Sequence, residues 1–242
     1  MTRLGAEPVG PPSDLVRARI EALRAKLADL APGRSVRLVV VTKGFGPEAV
    51  LAVQGAGVLD VGENYARELL AKRAALGAAA DGLRWHHLGA LHRRPAKQLA
   101  PVVDLFHGLT RVEEAEAIAS QAPGRRVLVQ LELSRRPGRR GVSAQALPSL
   151  LPRLSRAGVR PVGVMTLGVA GDPERTAAIF EEAAALARAA DLEEVSMGMS
   201  EDFELAVAKG ATIVRIGRAV LGPRPVAAPV DDPPPGRAPG LT

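Results

Sequence analysis

The stretch Val36-Arg37-Leu38-Val39-Val40-Val41-Thr42-Lys43-Gly44-Phe45-Gly46-Pro47 decides the fold. Its first seven residues form an apolar, β-branched run, the pattern of a strand buried in a parallel sheet. The turn after it has two glycines and then a proline. An open, doubly wound sheet would signal itself here with the Gly-rich order G-x-G-x-x-G. This turn lacks the third glycine. Outward from it the chain alternates strand and helix with short links. The expected strands are 36–42, 57–61, 84–88, 104–109, 126–133, 160–166, 193–197 and 212–216. Helical patterns fall near 47–55, 64–78, 94–100, 111–121, 144–157, 173–190 and 201–209, with a last helix beginning near Ala219. Eight βα repeats in about 200–250 residues are the size of a closed α/β (TIM-type) barrel. An extra N-terminal helix precedes it. Leu15, Val16, Ile20, Leu23, Leu27 and Leu30 recur at helical spacing, Ser13 suits its N-cap, and Pro32-Gly33 stops it. The expected organisation is a flexible N-terminus over 1–12, one barrel over 13–222, and a Pro-rich disordered tail over 223–242.

Composition narrows the function classes. Apolar residues make up 47% of the 242 and aromatics only 2%, so the core is built of Ala, Val and Leu. With no cysteine, neither a disulfide framework nor a thiolate metal site is available. The first twelve residues lack a signal-peptide apolar core, and no apolar run has the length of a membrane span. A cytoplasmic, monomeric protein without a membrane partner is expected. The net charge of +6 comes almost wholly from arginine, in pairs such as Arg93-Arg94, Arg125-Arg126 and Arg139-Arg140. Single-strand nucleic-acid binders interleave aromatics for stacking. One Trp, one Tyr and four Phe make no such array, so no nucleic-acid partner is expected. The positive field instead favours a small anionic ligand.

In a barrel the chemistry gathers at the C-terminal ends of the strands. Lys43 ends the first strand, and of the five lysines it alone ends such a run. Desolvation lowers a lysine's pKa and frees the amine that a Schiff base needs. Strands seven and eight end in Ser196-Met197-Gly198-Met199-Ser200 and Arg215-Ile216-Gly217-Arg218. Each leads into a new helix, with Ser200 a candidate N-cap, and helix starts hold phosphate. Barrels often seat a phosphate after these two strands. Arg215 lies in a strand buried on both faces. It must either pair with a core carboxylate such as Glu63 or aim into the mouth at a ligand. His86 and His87 are adjacent and point to opposite faces, so at most one reaches the mouth. His92 and His107 lie elsewhere, and the histidines lack metal-ligand spacing. Trp85 reads as packing, and Tyr65 as packing ahead of a rim donor. Together these ends suggest a phosphorylated aldehyde or ketone held by an imine.

The same residues, in order, match a known pattern. Thr42-Lys43, Gly62-Glu63-Asn64-Tyr65, Trp85-His86-x-Leu88-Gly89, Met165-Thr166, Ser196-Met197-Gly198-Met199-Ser200 and Val214-Arg215-Ile216-Gly217 resemble the pyridoxal phosphate homeostasis protein family (YggS/PROSC, PLP-binding proteins) over about residues 13–223. The resemblance implies a barrel like the alanine racemase N-terminal domain. It implies pyridoxal 5′-phosphate bound as a Schiff base on Lys43. Ser200 and the Gly217-Arg218 backbone would hold the phosphate, Arg215 would face the pyridine nitrogen, and Asn64 and His86 would line the pocket. It implies buffering and delivery of the cofactor in intracellular homeostasis, without robust catalysis, with apo-enzymes that use the cofactor as recipients. The chain departs from the family at Arg218, where a Thr is usual, in Ala90–Pro95, and in the basic loop Arg135–Gly141.

Two further readings stay open. An amino-acid racemase would need a second acid/base opposite the lysine, and the only tyrosine is Tyr65. A Schiff-base aldolase-type barrel would share the lysine and the phosphate seat.

Overall fold

The structure, a computed structural model, describes residues 11–136 and 138–224. Most of the expected flexible N-terminus and nearly all of the Pro-rich tail lie outside the described residues, as does Pro137 of the basic loop. The eight strands are β1 (Arg37–Val41), β2 (Asp60–Glu63), β3 (Arg84–His87), β4 (Leu105–Leu109), β5 (Arg126–Gln130), β6 (Arg160–Met165), β7 (Glu194–Ser196) and β8 (Ile213–Ile216). All pairings are parallel, and β1 returns to β8, so the sheet is a closed barrel. No helix among the described residues is long and apolar enough to cross a membrane.

The helices are α1 (Ser13–Leu30), α2 (Pro47–Gly55), α3 (Ala66–Leu76), α4 (Arg93–Leu99), α5 (Val112–Ala119), α6 (Leu147–Arg156), α7 (Pro173–Ala189), α8 (Phe203–Ala208) and α9 (Arg218–Leu221). α4 tolerates Pro95 because it sits in the first turn, where a backbone N–H would have no helical partner to lose. The expected helix over 144–157 divides before Leu147 into a short 3₁₀ turn, Ala144–Ala146, and α6, with Pro148 in the first turn of α6. The N-cap of α1 is Pro12, not Ser13, which is already helical. β2 starts later than expected. Gly57, in the left-handed region at φ 77°, completes the turn out of α2 before the strand begins.

α1 buries one stripe, Val16, Ile20, Leu23 and Leu27, at the helical period. It lies against α2, α8 and α9, across the seam where β1 meets β8. Arg19 ties it there by donating to the Val220 carbonyl at 3.0 Å. The N-terminal helix thus clasps the first βα unit to the last.

The core has two parts. The larger lies between the strands and the helix ring and includes Trp85, Phe106, Ile118 and Phe180. Trp85 packs there, as its sequence suggested; Tyr65 does not, being 51% exposed. The smaller fills the barrel itself with Val39, Leu105, Leu128, Val162, Met165 and Ile213. The barrel floor is ionic. Glu194 accepts from Arg37 at 2.9 Å, from Arg126 at 3.1 Å and from Thr212 at 2.8 Å. Closure also needs a bare backbone at Gly163, where a Cβ would sit 2.0 Å from the Glu194 carbonyl oxygen.

Glu194 is the shared anion of two part-exposed arginines. Its loss leaves both without a carboxylate at the floor. Glu194→Ala should lower unfolding free energy by about 2 kcal/mol, read from urea midpoints.

Candidate functional site

Residues from both ends of the chain meet at the barrel mouth. β1 stops at Val41, and Thr42 closes a tight turn by accepting from the Phe45 N–H at 3.1 Å. Gly44 adopts φ 78°, and its N–H donates to Glu68 Oε1. This turn holds Lys43 half-buried at the strand end. Burial pushes its amine pKa down, and the nearby Arg224 and Arg215 cations push the same way against Glu63 and Glu68. Arg224 stands over the turn, since a Cβ on Gly44 would meet its Cδ at 2.9 Å.

Arg215 projects into the barrel from β8 and is buried. It forms no salt bridge with Glu63. Its Nη1 donates to Ser196 Oγ at 2.7 Å and its Nη2 to the Thr166 carbonyl at 3.0 Å. Among the described residues no carboxylate pairs with it. Burial pulls its pKa down to about 10, so it remains a cation at neutral pH.

Glu63 is taken by a lysine that sequence reasoning passed over. Lys72, buried on α3, donates to Glu63 Oε1, to Glu68 Oε1 at 2.7 Å and to the Thr42 carbonyl at 2.7 Å. Thr42 Oγ1 donates to Glu63 at 2.6 Å. Glu63 Oε2 is buried with no partner. Burial raises the Glu63 pKa to about 7, with Glu68 adding to the rise and Lys72 opposing it. A signal for Lys72 was present: it lies three residues after buried Leu69 and four after Glu68, on one face of the helix.

The two helix starts meet each other. Gly198 holds φ 89°, with Ala206 Cβ 2.6 Å from where its own Cβ would be. Asp202, not Ser200, is the N-cap of α8, and its Oδ1 accepts the Met199 N–H at 2.6 Å. Ser200 instead reaches across to α9, where its Oγ accepts the Ala219 N–H at 3.2 Å. Gly217 caps α9, close under the Val41 carbonyl. Arg218 is exposed, and its guanidinium bonds Glu201 at 2.6 Å. Asn64 is half-buried at the end of β2, its carbonyl against Gly89.

His86 does not line the mouth. It faces the barrel interior, fully engaged: Nε2 lies 3.0 Å from Asp60 Oδ1 and Nδ1 lies 2.9 Å from His107 Nε2. His87 turns outward against Phe106. Sequence separation hid His107, which shares the interior with His86. A cavity of about 380 Å³ lined by Arg24, Arg34, Arg37, Arg84 and Asp60 lies at the N-terminal ends of the strands, away from Lys43.

The arrangement is an amine with a depressed pKa within electrostatic reach of a buried guanidinium that no carboxylate among the described residues pairs with, with polar helix starts at the same end of the barrel. Comparison with known proteins agrees. The alanine racemase N-terminal domain family matches residues 13–225. The pyridoxal phosphate homeostasis protein of Deinococcus radiodurans is 36% identical over 201 residues, covering 80% of this chain and 94% of the relative. That of Pseudomonas aeruginosa is 33% identical over 224 residues, covering 86% and 94%. The structure of PipY of Synechococcus elongatus PCC7942 with PLP bound is 32% identical with a TM-score of 0.75, covering 86% of this chain and all of that one.

A carboxyl raised on folding favours the protonated native state, so its contribution to stability falls as pH rises from the unfolded toward the folded pKa. Between pH 4.5 and about 7, Glu63→Gln should therefore gain in urea midpoint relative to wild type as pH increases.

Proposed function

The chain belongs to the pyridoxal phosphate homeostasis protein family, on the alanine racemase N-terminal fold, and from that premise we propose that it binds pyridoxal 5′-phosphate covalently on Lys43. Its role in this reading is homeostasis of the cofactor within the cell, holding it and releasing it to apo-enzymes. One observation carries the proposal. A half-buried lysine with a lowered pKa sits in the field of a buried arginine that has no carboxylate partner among the described residues. A guanidinium so placed calls for an acceptor or anion from outside the protein. A pyridine nitrogen and a phosphate together meet that demand, so the residues fit the cofactor.

The roles follow from position. Lys43 supplies the amine for the Schiff base. Arg215 faces the ring nitrogen and holds it unprotonated, because a guanidinium can only donate. Ser200 Oγ and the main-chain N–H groups of Gly217 and Arg218 grip the phosphate, and Asn64 lines the rim. His86 supports Arg215 from behind rather than touching the cofactor. The Arg218 side chain contributes little, since Glu201 already holds it at the surface. When bound, the cofactor supplies an aldehyde and an electron-poor ring. With its nitrogen unprotonated the ring is a weak electron sink, which favours a carrier over a catalyst. Tyr65, the only tyrosine, is half exposed at the start of α3, an ill-suited place for a racemase's second acid/base.

Purified protein reconstituted with pyridoxal 5′-phosphate should show an imine band near the visible. Borohydride should fix the added mass on the peptide holding Lys43, and Lys43→Ala should lack both signals. No band in reconstituted wild type ends the proposal. Arg218→Ala should change cofactor affinity less than about threefold, as expected for an exposed ion pair, whereas Arg215→Ala should weaken it by about tenfold or more. Equilibrium fluorescence titration checks both.

A further inference from the structure

A chain of buried side chains runs behind Arg215. Arg215 Nη1 donates to Ser196 Oγ at 2.7 Å. Ser196 Oγ lies 2.9 Å from His107 Nδ1, and His107 Nε2 lies 2.9 Å from His86 Nδ1. His86 Nε2 lies 3.0 Å from Asp60 Oδ1. All five residues are buried. They come from β8, β7, β4, β3 and β2, so the chain crosses the barrel lumen. At the far end Arg84 Nε donates to Asp60 at 2.8 Å, beside the cavity at the strand N-termini.

The two ends determine every proton in between. A guanidinium has donors only, and a carboxylate has acceptors only. Ser196 accepts from Arg215, which leaves its own hydroxyl free to donate to His107 Nδ1. His107 Nδ1 then carries no proton, and its Nε2–H donates to His86 Nδ1. His86 in turn donates its Nε2–H to Asp60. The reverse order would ask the Asp60 carboxylate to donate a hydrogen bond to His86, which it cannot do. Burial lowers the pKa of both rings, which keeps them neutral as this order requires. At Asp60 burial favours the neutral acid, but hydrogen bonds from Arg84 and His86 together outweigh it and hold the carboxyl well below its usual range.

We propose that Asp60 is a positioning residue for Arg215, acting from the opposite end of the barrel through a one-way hydrogen-bond chain of His86, His107 and Ser196. The chain fixes the plane of the guanidinium and places a formal negative charge at its far end. Two of the five N–H groups of a guanidinium are used inside the protein, one on Ser196 and one on Thr166. The other three have no partner among the described residues. Hydrogen bonds in such a chain polarise one another, so a change at Asp60 reaches Arg215. The consequence for the cofactor rests on the proposed function; the proton order does not.

Full-length protein labelled with nitrogen-15 histidine tests the chain by long-range proton–nitrogen NMR at about pH 7, with and without pyridoxal 5′-phosphate. Wild-type His86 and His107 should both be neutral with the proton on Nε2. Asp60→Asn keeps the shape but removes the acceptor-only end. It should mix the tautomers at both rings and weaken the cofactor about tenfold. Ser196→Ala, at the other end, should weaken the cofactor by a similar factor while His86 keeps its Nε2 proton. It serves alone if Asp60→Asn does not fold. A wild-type ring protonated on Nδ1 or on both nitrogens overturns the proposal. So does unchanged affinity in Ser196→Ala, or an unmixed His107 in Asp60→Asn. If wild type binds no cofactor, the functional reading fails while the tautomers still decide the chain.

Discussion

The pairing of β1 with β8 is the constraint on which the site depends. Val39 lies opposite Arg215 in that register, and Val40 opposite Ile216. Lys43 belongs to the first βα unit and Arg215 to the last. Only closure of the ring makes them neighbours, close enough for the arginine to bear on the lysine's pKa. α1 secures this seam from outside by packing across α2, α8 and α9. An N-terminal helix that looks like an appendage in the sequence is therefore part of what holds Lys43 and Arg215 together.

Closure also forces an answer on the polar groups it buries, because they lose bulk water. The barrel solves this in three places. At the floor Glu194 accepts from Arg37 and Arg126. Under the first turn Lys72 is surrounded by Glu63, Glu68 and the Thr42 carbonyl. In the lumen a neutral relay joins Asp60 to Arg215. The first two neutralise charge locally. The third does not, and leaves a guanidinium that no carboxylate among the described residues pairs with, Asp202 acting on it only through its field. That imbalance makes the mouth attractive to an anionic, acceptor-bearing ligand, and it fits the family to which the chain belongs.

Much of this was legible in order along the sequence. The apolar run ending in Lys43, the strand–helix alternation, and the Gly-bearing ends of strands seven and eight each report local chemistry. Boundaries were less legible. β2 reads Asp-Val-Gly-Glu, which lacks strand-like apolarity, because its polar members are satisfied by Arg84, His86, Lys72 and Thr42 from elsewhere. Ser200 looked like the cap of its own helix, yet Asp202 is closer to the right spacing and takes that position. Ser200 is thereby released to bond the start of α9. His86 was expected in the pocket because it belongs to the Trp85-His86-x-Leu88-Gly89 motif of the resemblance. Its ring nitrogens are spent on partners that sequence distance conceals.

The sequence by itself determined which residues alternate between core and surface, and which lysine stands at the end of a buried strand. Period and composition act over a few neighbours, so those features can be read one segment at a time. Only the tertiary structure decided which buried charge meets which. Glu63 pairs with Lys72 rather than Arg215, and Asp60 reaches Arg215 through two histidines. Such pairings depend on strand register and barrel shear between segments far apart in the chain, and a linear pattern does not encode that distance.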